Sequence, residues 1–229
     1  MIDGELFKMR DAALEKVDFF EVPDEFIIDQ TFNGLSFESD HIKREDVVAH
    51  FNNEEIDPTK ATLISNHRKA FLKAVEMAKE NIPLTENNLK DLHQILMDNI
   101  SNIGGLYRNV DISISGSNHT PPSHIKVYDR MKKYFDYTLA GPKDDVLEYI
   151  SYCHLQLTKI HPFLDGNGRL ARIVLNYHLL SNNFMPVYVK YEERKRYFSL
   201  LEDFKVNKKI EPFKQFLIEL EKRSLEKVL

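Results

Sequence analysis

Residues 161–172 read HPFLDGNGRLAR. They lie between two strongly apolar segments, and their reading decides how the rest of the chain must be arranged. Pro162 biases His161 toward extended backbone, so the preceding helix should close there. Asp165-Gly166 and Asn167-Gly168 are turn dipeptides. Glycines let successive N–H groups converge, and such a nest at a helix N-terminus binds phosphate. Arg169 opens the next helix, and Arg172 follows three residues later on the same face, within reach of the same anion. Cations at a helix N-terminus oppose its dipole, a conflict that a bound anion removes. Asp165 is a carboxylate beside that phosphate site, where a Mg²⁺ ligand belongs. His161 is the group that can take a proton at neutral pH while starting mostly uncharged. Singly, each has an ordinary reading: a capping or packed histidine, a plain turn, solvated arginines. Together they compose a site for attack on a phosphate.

Outward from this loop the chain reads as helix. The segment from Asp144 to Phe163 turns Val146, Ile150, Cys153, Leu157 and Ile160 to one side, with Asp144 and Asp145 at its positive end. RLARIVLNYHLLSNN places Leu170, Val174, Tyr177 and Leu180 inward. Upstream, a helix from Leu63 is stopped by Pro83, and another follows Thr85, which suits an N-cap. KRYFSLLEDFKV and IEPFKQFLIELEKRSLEKV close the chain as helices. One segment departs from this pattern. VDISISGSNHTPP, from Val110, alternates Val110, Ile112 and Ile114 with Asp111, Ser113 and Ser115, which predicts a short strand or hairpin. Its open edge could accept a peptide strand; a covered connector is the plainer alternative. The expected fold is all-α: a single helical domain with a short β-hairpin, divided into an N-terminal helical extension (1–83), a core (84–201) and a C-terminal helical extension (202–229).

Composition narrows the setting. The 229 residues carry 42% hydrophobic and 29% charged residues, ordinary for a folded domain. The net charge of −5 and the lack of a basic recognition helix argue against a nucleic-acid partner. No apolar run is long enough for a membrane span. The start, MIDGELFKMRDAALEK, lacks the apolar stretch of a signal peptide, so a cytoplasmic protein is expected, with export by a specialised bacterial secretion system still open. Cys153 is the single cysteine. It cannot form an internal disulfide and reads as a buried thiol.

The loop resembles the signature of the Fic family, His-x-Phe-x-[Asp/Glu]-Gly-Asn-Gly-Arg-x-x-Arg. His161, Phe163, Asp165, Gly166, Asn167, Gly168, Arg169 and Arg172 all match. The similarity extends from about Leu84 to Leu201 and takes in LTENNLKDLH, GLYR at 105–108 and RYFSLLED. It implies a helical core with a β-hairpin flap over the site, and transfer of AMP from ATP to a Ser, Thr or Tyr hydroxyl of a target protein, the chain itself included. On that resemblance His161 is the general base and Asp165 holds Mg²⁺. Gly166, Asn167 and Gly168 cradle the attacked phosphate. Arg169 neutralises the departing pyrophosphate, Arg172 holds the γ-phosphate, and Asp111, Ile112, Ser113, Ile114 and Ser115 clamp the target. Tyr197 lines the adenine pocket or is a core tyrosine. His154 reads as a packed histidine, and His119 and His67 have no evident partner. Relatives move UMP, phosphocholine or phosphate instead, and the loop alone does not separate these. A nucleotide-binding regulator without turnover is a further alternative, against which both His161 and Asp165 stand.

Many members of the family carry an inhibitory helix, [Ser/Thr]-x-x-x-Glu-[Gly/Asn], whose glutamate pairs with the second motif arginine. The nearest match here ends at Asn33-Gly34, with asparagine in the glutamate position. On that register the chain is either unrestrained or restrained by a separate inhibitory protein. The C-terminal helix could pack on the core or on a second subunit in a homo-oligomer.

Overall fold

Side-chain caps and prolines set the helix starts. In the computed structural model, which describes residues 4–38 and 41–229, Asp57 accepts from the amides of Thr59 and Lys60 and Pro58 takes the first helical position. Thr85 accepts from the Asn88 amide, and Asp145 from those of Leu147 and Glu148. Residues 1–3, with which the expected N-terminal extension begins, and 39–40 lie outside the described residues. The helices are α1 (Gly4–Leu14), α2 (Asp24–Ser36), α3 (Arg44–Phe51), α4 (Pro58–Lys79), α5 (Glu86–Met97), α6 (Val127–Ala140), α7 (Val146–Ile160), α8 (Asn167–Leu180), α9 (Arg194–Asn207) and α10 (Glu211–Leu225).

The all-helical expectation holds. Helix α8 is the axle: from Leu170 to Leu180 each of its residues is buried, with α4 and α7 against it and α2 and α5 at its flanks. A helix buried on every side belongs in the middle of a bundle, and its polar side chains there need partners. The main apolar core runs from Leu6 of α1 to Leu225 of α10. A second, smaller cluster of Ile28, Leu35, Ile42, Val47 and Ile64 joins α2 and α3 to α4. Cys153 is fully buried in the main core, and burial pushes its thiol up to about 12. No described helix is long and apolar enough to cross a membrane.

The expected hairpin is not present; among the described residues no strand forms. The period-two pattern is real in burial from Asp111 on, with Ile112 and Ile114 half-buried and Asp111, Ser113 and Ser115 exposed, but Val110 is exposed rather than turned inward. What fails is the pairing. The returning arm holds Pro121 and Pro122, which cannot donate to a ladder. Side chains join the two arms instead: the Asp111 carboxylate accepts from Ser123 Oγ at 3.0 Å and from the His124 amide at 2.7 Å. Glu202 of α9 holds the tip, accepting from Ser117 Oγ at 2.6 Å and the Asn118 amide at 2.7 Å.

Candidate active site

The loop between α7 and α8 is tied from inside and outside. Asn167 spends its whole amide on it: Oδ1 accepts from the Phe163 amide and Nδ2 donates to the Phe163 carbonyl, both at 2.9 Å. Gly166 turns the chain with φ +74°. A side chain there would stand 3.1 Å from Met97 Sδ and 3.3 Å from His93 Nε2, so both conformation and space require glycine. His93, fully buried on α5, stacks on Phe163 with ring centroids 3.7 Å apart. Its Nε2 donates to the Asp165 carbonyl at 2.9 Å, and its Nδ1 accepts from the Gly105 amide at 2.9 Å. Those two bonds require a neutral ring, and burial lowers its pKa to about 4.

His161 ends α7 in a left-handed conformation, φ +52° and ψ +62°, its amide donating to the Leu157 carbonyl. This corrects the extended backbone expected before Pro162. The left-handed residue satisfies an end carbonyl of the helix, and Arg108 holds the strained turn in place. Arg108 is 4% exposed. Its Nε donates to the His161 carbonyl at 2.9 Å and its Nη1 to the Val110 carbonyl at 3.1 Å. Nη2 donates to the Pro122 carbonyl, and the Arg108 amide donates to that of Pro162. One guanidinium thus joins the loop to both arms of the 110–122 segment.

The His161 ring lines a cavity of about 200 Å³ with Ile114, Ser115, Asn167, Gly168, Arg172, Tyr197 and Lys205. Nδ1 lies 3.3 Å from the Thr158 carbonyl, which can only accept. Nδ1 therefore carries the proton and Nε2 keeps its lone pair. Burial lowers the ring's pKa to about 4, opposed by the Thr158 bond and helped by Lys205 and Arg108. The ring is a free base at neutral pH.

Across the α8 N-terminus both motif arginines are buried, Arg169 at 6% and Arg172 at 7% exposure. Their charge is met by Glu38, which follows α2. Arg169 Nε donates to Glu38 Oε2 at 2.7 Å, and Arg172 Nη2 to Glu38 Oε1 at 3.3 Å. Arg172 Nη2 also donates to the Gly34 carbonyl at 2.8 Å, and its guanidinium lies over Phe37, 4.7 Å from the ring centre. Glu38 Oε1 sits 2.6 Å from where a Gly168 side chain would begin. The carboxylate thus stands over Gly168 and against both motif arginines. Asp165 is exposed to solvent, its Oδ1 accepting from the Gly166 amide at 2.7 Å and its Oδ2 3.3 Å from Arg169 Nη2.

Residues 83–179 match the sequence model of the Fic/DOC family. The chain is similar to that family over this stretch. It is 27% identical over 149 residues to the protein adenylyltransferase Fic of Nematostella vectensis, 64% of this chain and 34% of that protein. It therefore spans about a third of the length of the curated relatives it matches. Among solved structures, a Fic domain-containing signalling protein from Bacteroides thetaiotaomicron superposes with a TM-score of 0.84 at 20% identity, covering 97% of this chain and 93% of that one. Fic-1 from C. elegans superposes with a TM-score of 0.81 at 19% identity, covering 98% of this chain and 69% of that one.

Of the loop, His161, Asn167, Gly168 and Arg172 line the cavity; Asp165 and Arg169 are not among its lining residues and pair with each other at 3.3 Å. Asn167 has its amide turned into the loop and offers the opening only its backbone. Tyr197 is 1% exposed. Its hydroxyl donates to His154 Nε2 at 2.9 Å, so it is a core residue with one edge on the cavity. His154 is fully buried, its Nδ1 3.0 Å from the Ala171 carbonyl. His119 does have a partner, the Lys159 carbonyl at 3.1 Å. The Asn33 register is wrong: Asn33 braces α2, accepting from the Tyr191 amide and donating to the Asp29 carbonyl, each at 2.8 Å. The carboxylate comes from Glu38, whose preceding position four back is Gly34 and whose successor is Ser39. Neither flank fits the inhibitory pattern, so the pattern search passed over it. His93 and Arg108 were missed as supports of the loop. Their signal was present, a histidine on an apolar helix face and an arginine closing Gly-Leu-Tyr-Arg.

Proposed function

We propose that the chain is a protein adenylyltransferase: it transfers AMP from ATP to a Ser, Thr or Tyr hydroxyl of a protein, itself included, and is held in a restrained state by Glu38. The observation that carries the reading is a neutral imidazole, its Nδ1 committed to the Thr158 carbonyl, lining the same cavity as Gly168 and the buried Arg172. In the reaction, the target hydroxyl gives its proton to His161 Nε2 as its oxygen bonds to the α-phosphorus. The bond from that phosphorus to the α–β bridging oxygen breaks, and pyrophosphate leaves with the electron pair. Gly166 and Gly168 leave room for the phosphates against the α8 N-terminus, and the backbone amides there meet the charge that develops. Arg169 and Arg172 hold the β- and γ-phosphates once Glu38 withdraws, because one carboxylate and one phosphate compete for the same guanidiniums. Asp165, a single solvent-facing carboxylate beside the phosphate position, fits a Mg²⁺ that is held mainly by the nucleotide; the ion would offset charge on the α- and β-phosphates.

The segment 111–115 runs beside His161, with Ile114 and Ser115 lining the cavity and, of its backbone, the Ile114 carbonyl taken by the Ser117 amide. That supports its role in aligning the target by main-chain pairing, although it forms no hairpin of its own. The relatives' name, protein adenylyltransferase, supports AMP over other groups. The reading places the reaction in the cytoplasm and requires neither nucleic acid nor membrane. Restraint from within the chain removes the need for a separate inhibitory protein. The test is the mass added to a target in cell extract after incubation with ATP. One AMP per modified hydroxyl is expected; UMP, phosphocholine or bare phosphate would overturn the assignment.

A further inference from the structure

Glu38 reaches the arginines only because of how α2 lies on α4, and that contact contains two locally unfavourable choices pressed together. Gly34 stands inside α2, where glycine is the weakest helix former after proline. A side chain at Gly34 would begin 2.3 Å from His67 Nε2 and 2.6 Å from its Cε1. His67, on α4, is fully buried, and neither ring nitrogen has a hydrogen-bond partner. Burial keeps this imidazole neutral, with Arg172 and Arg169 acting in the same direction. An unpartnered imidazole under a missing side chain is a poor way to hold two helices together. Yet the Gly34 carbonyl at that spot receives Arg172 Nη2, and four residues on stands Glu38. The apolar contacts of Ile28 and Leu35 of α2 belong to the small cluster shared with α3 and Ile64 of α4. Ile27 of α2 lies in the main core, with Phe26 and Phe37 packed against it.

We propose that Gly34 and His67 are a matched positioning pair: the bare glycine admits the histidine ring, sets the depth at which α2 seats, and so determines whether Glu38 reaches Arg169 and Arg172. The pair rests on the reading of Glu38 as a restraint and assigns that restraint its point of adjustment. Any side chain at position 34 lifts α2 off His67 and withdraws the Gly34 carbonyl and Glu38 from Arg172 together. Trimming His67 then lets α2 settle back. Both residues lie away from the reacting atoms and act through Glu38.

The test measures AMP incorporated into the chain itself from α-labelled ATP. The chains are the native one, Glu38→Gly, Gly34→Ala, His67→Ala and Gly34→Ala/His67→Ala, with thermal melting run on each. Glu38→Gly is expected to raise the rate by about tenfold or more, the size of an ordinary coupling between sites, and Gly34→Ala to raise it comparably. His67→Ala and the double variant should return to the native rate. A merely structural role for Gly34 would lower activity, so the sign of the change is diagnostic. Gly34→Ala at the native rate, a double variant as active as Gly34→Ala, or a Gly34→Ala chain that does not fold would each overturn the proposal while leaving Glu38 as the restraint. No rise with Glu38→Gly would remove the restraint and the pair with it. No label in any chain would overturn the transferase reading instead.

Discussion

The chemistry turns on one lone pair. His161 Nε2 is free because Nδ1 is committed to the Thr158 carbonyl, and burial lowers the ring's pKa to about 4. A base whose pKa lies that low is unprotonated throughout the neutral range and becomes protonated as pH falls through that value. The transfer rate of the Glu38→Gly chain should therefore be flat across neutral pH and decline only in acid. A decline already centred near the ordinary histidine pKa of about 6.5 would contradict the buried neutral ring. His93 acts one step back, with one nitrogen on the Asp165 carbonyl and the other on the Gly105 amide. Histidine 93 to alanine (H93A) frees the loop that carries Asp165 and Gly166, and should cost about 10–100-fold in kcat with a smaller change in KM for ATP, since small misplacements at a reacting centre cost that much. A raised KM with kcat unchanged would mean that His93 serves binding alone. At this scale the sequence was most legible where residues lie close together. Contiguous residues spell the loop and its turns, but Glu38 and Arg169 meet across 131 positions. No local pattern announces such a pairing.

At the scale of elements, Arg108 is the buckle. It serves the carbonyls of His161, Val110 and Pro122 from a buried position. Arg108→Met keeps the volume and leaves those acceptors without their donor, so it should destabilise the fold by roughly 2–4 kcal/mol. Urea unfolding would measure this, and a change below about 0.5 kcal/mol would place those carbonyls in solvent rather than in need of a partner. The helices were legible because their caps and apolar faces are local: Thr85, Asp145 and the inward stripes of α7 and α8 all lie where periodicity puts them. Helix α4 begins at Pro58, ahead of the Leu63 start read from its apolar face, because its first turn is fixed by Asp57 and not by burial. The 110–115 segment was misread for the opposite reason. Alternation states which side chains face inward, and says nothing of whether a second strand is available to pair.

Across the whole molecule, terminal and central helices share the main core, and one of the buried polar groups within the fold is Glu221 of α10. This carboxyl is fully buried, and burial raises its pKa well above the usual value of 4.5, opposed by the Met185 backbone and Arg10. A carboxyl raised on folding binds its proton more tightly in the native state. Its favourable contribution is complete below pH 4.5 and is lost as pH rises toward the folded value. Glu221→Gln should therefore gain stability relative to the native chain at neutral pH, read as a higher Tm, and lose that advantage near pH 4; an equal Tm difference at both would contradict a buried protonated acid. The larger organisation was only partly visible beforehand. That the chain is helical follows from its periodicities, but that α2 folds back to place Glu38 on α8 depends on a bare Gly34 meeting His67 on α4, a fit in three dimensions. The most direct test of the whole account compares Glu38→Gly with Glu38→Gly/His161→Ala, each given ATP labelled at the α-phosphate and, separately, at the γ-phosphate. The account predicts α-label on the first protein, none on the second, and γ-label on neither. Label from the γ-position, or α-label that survives loss of His161, would contradict it.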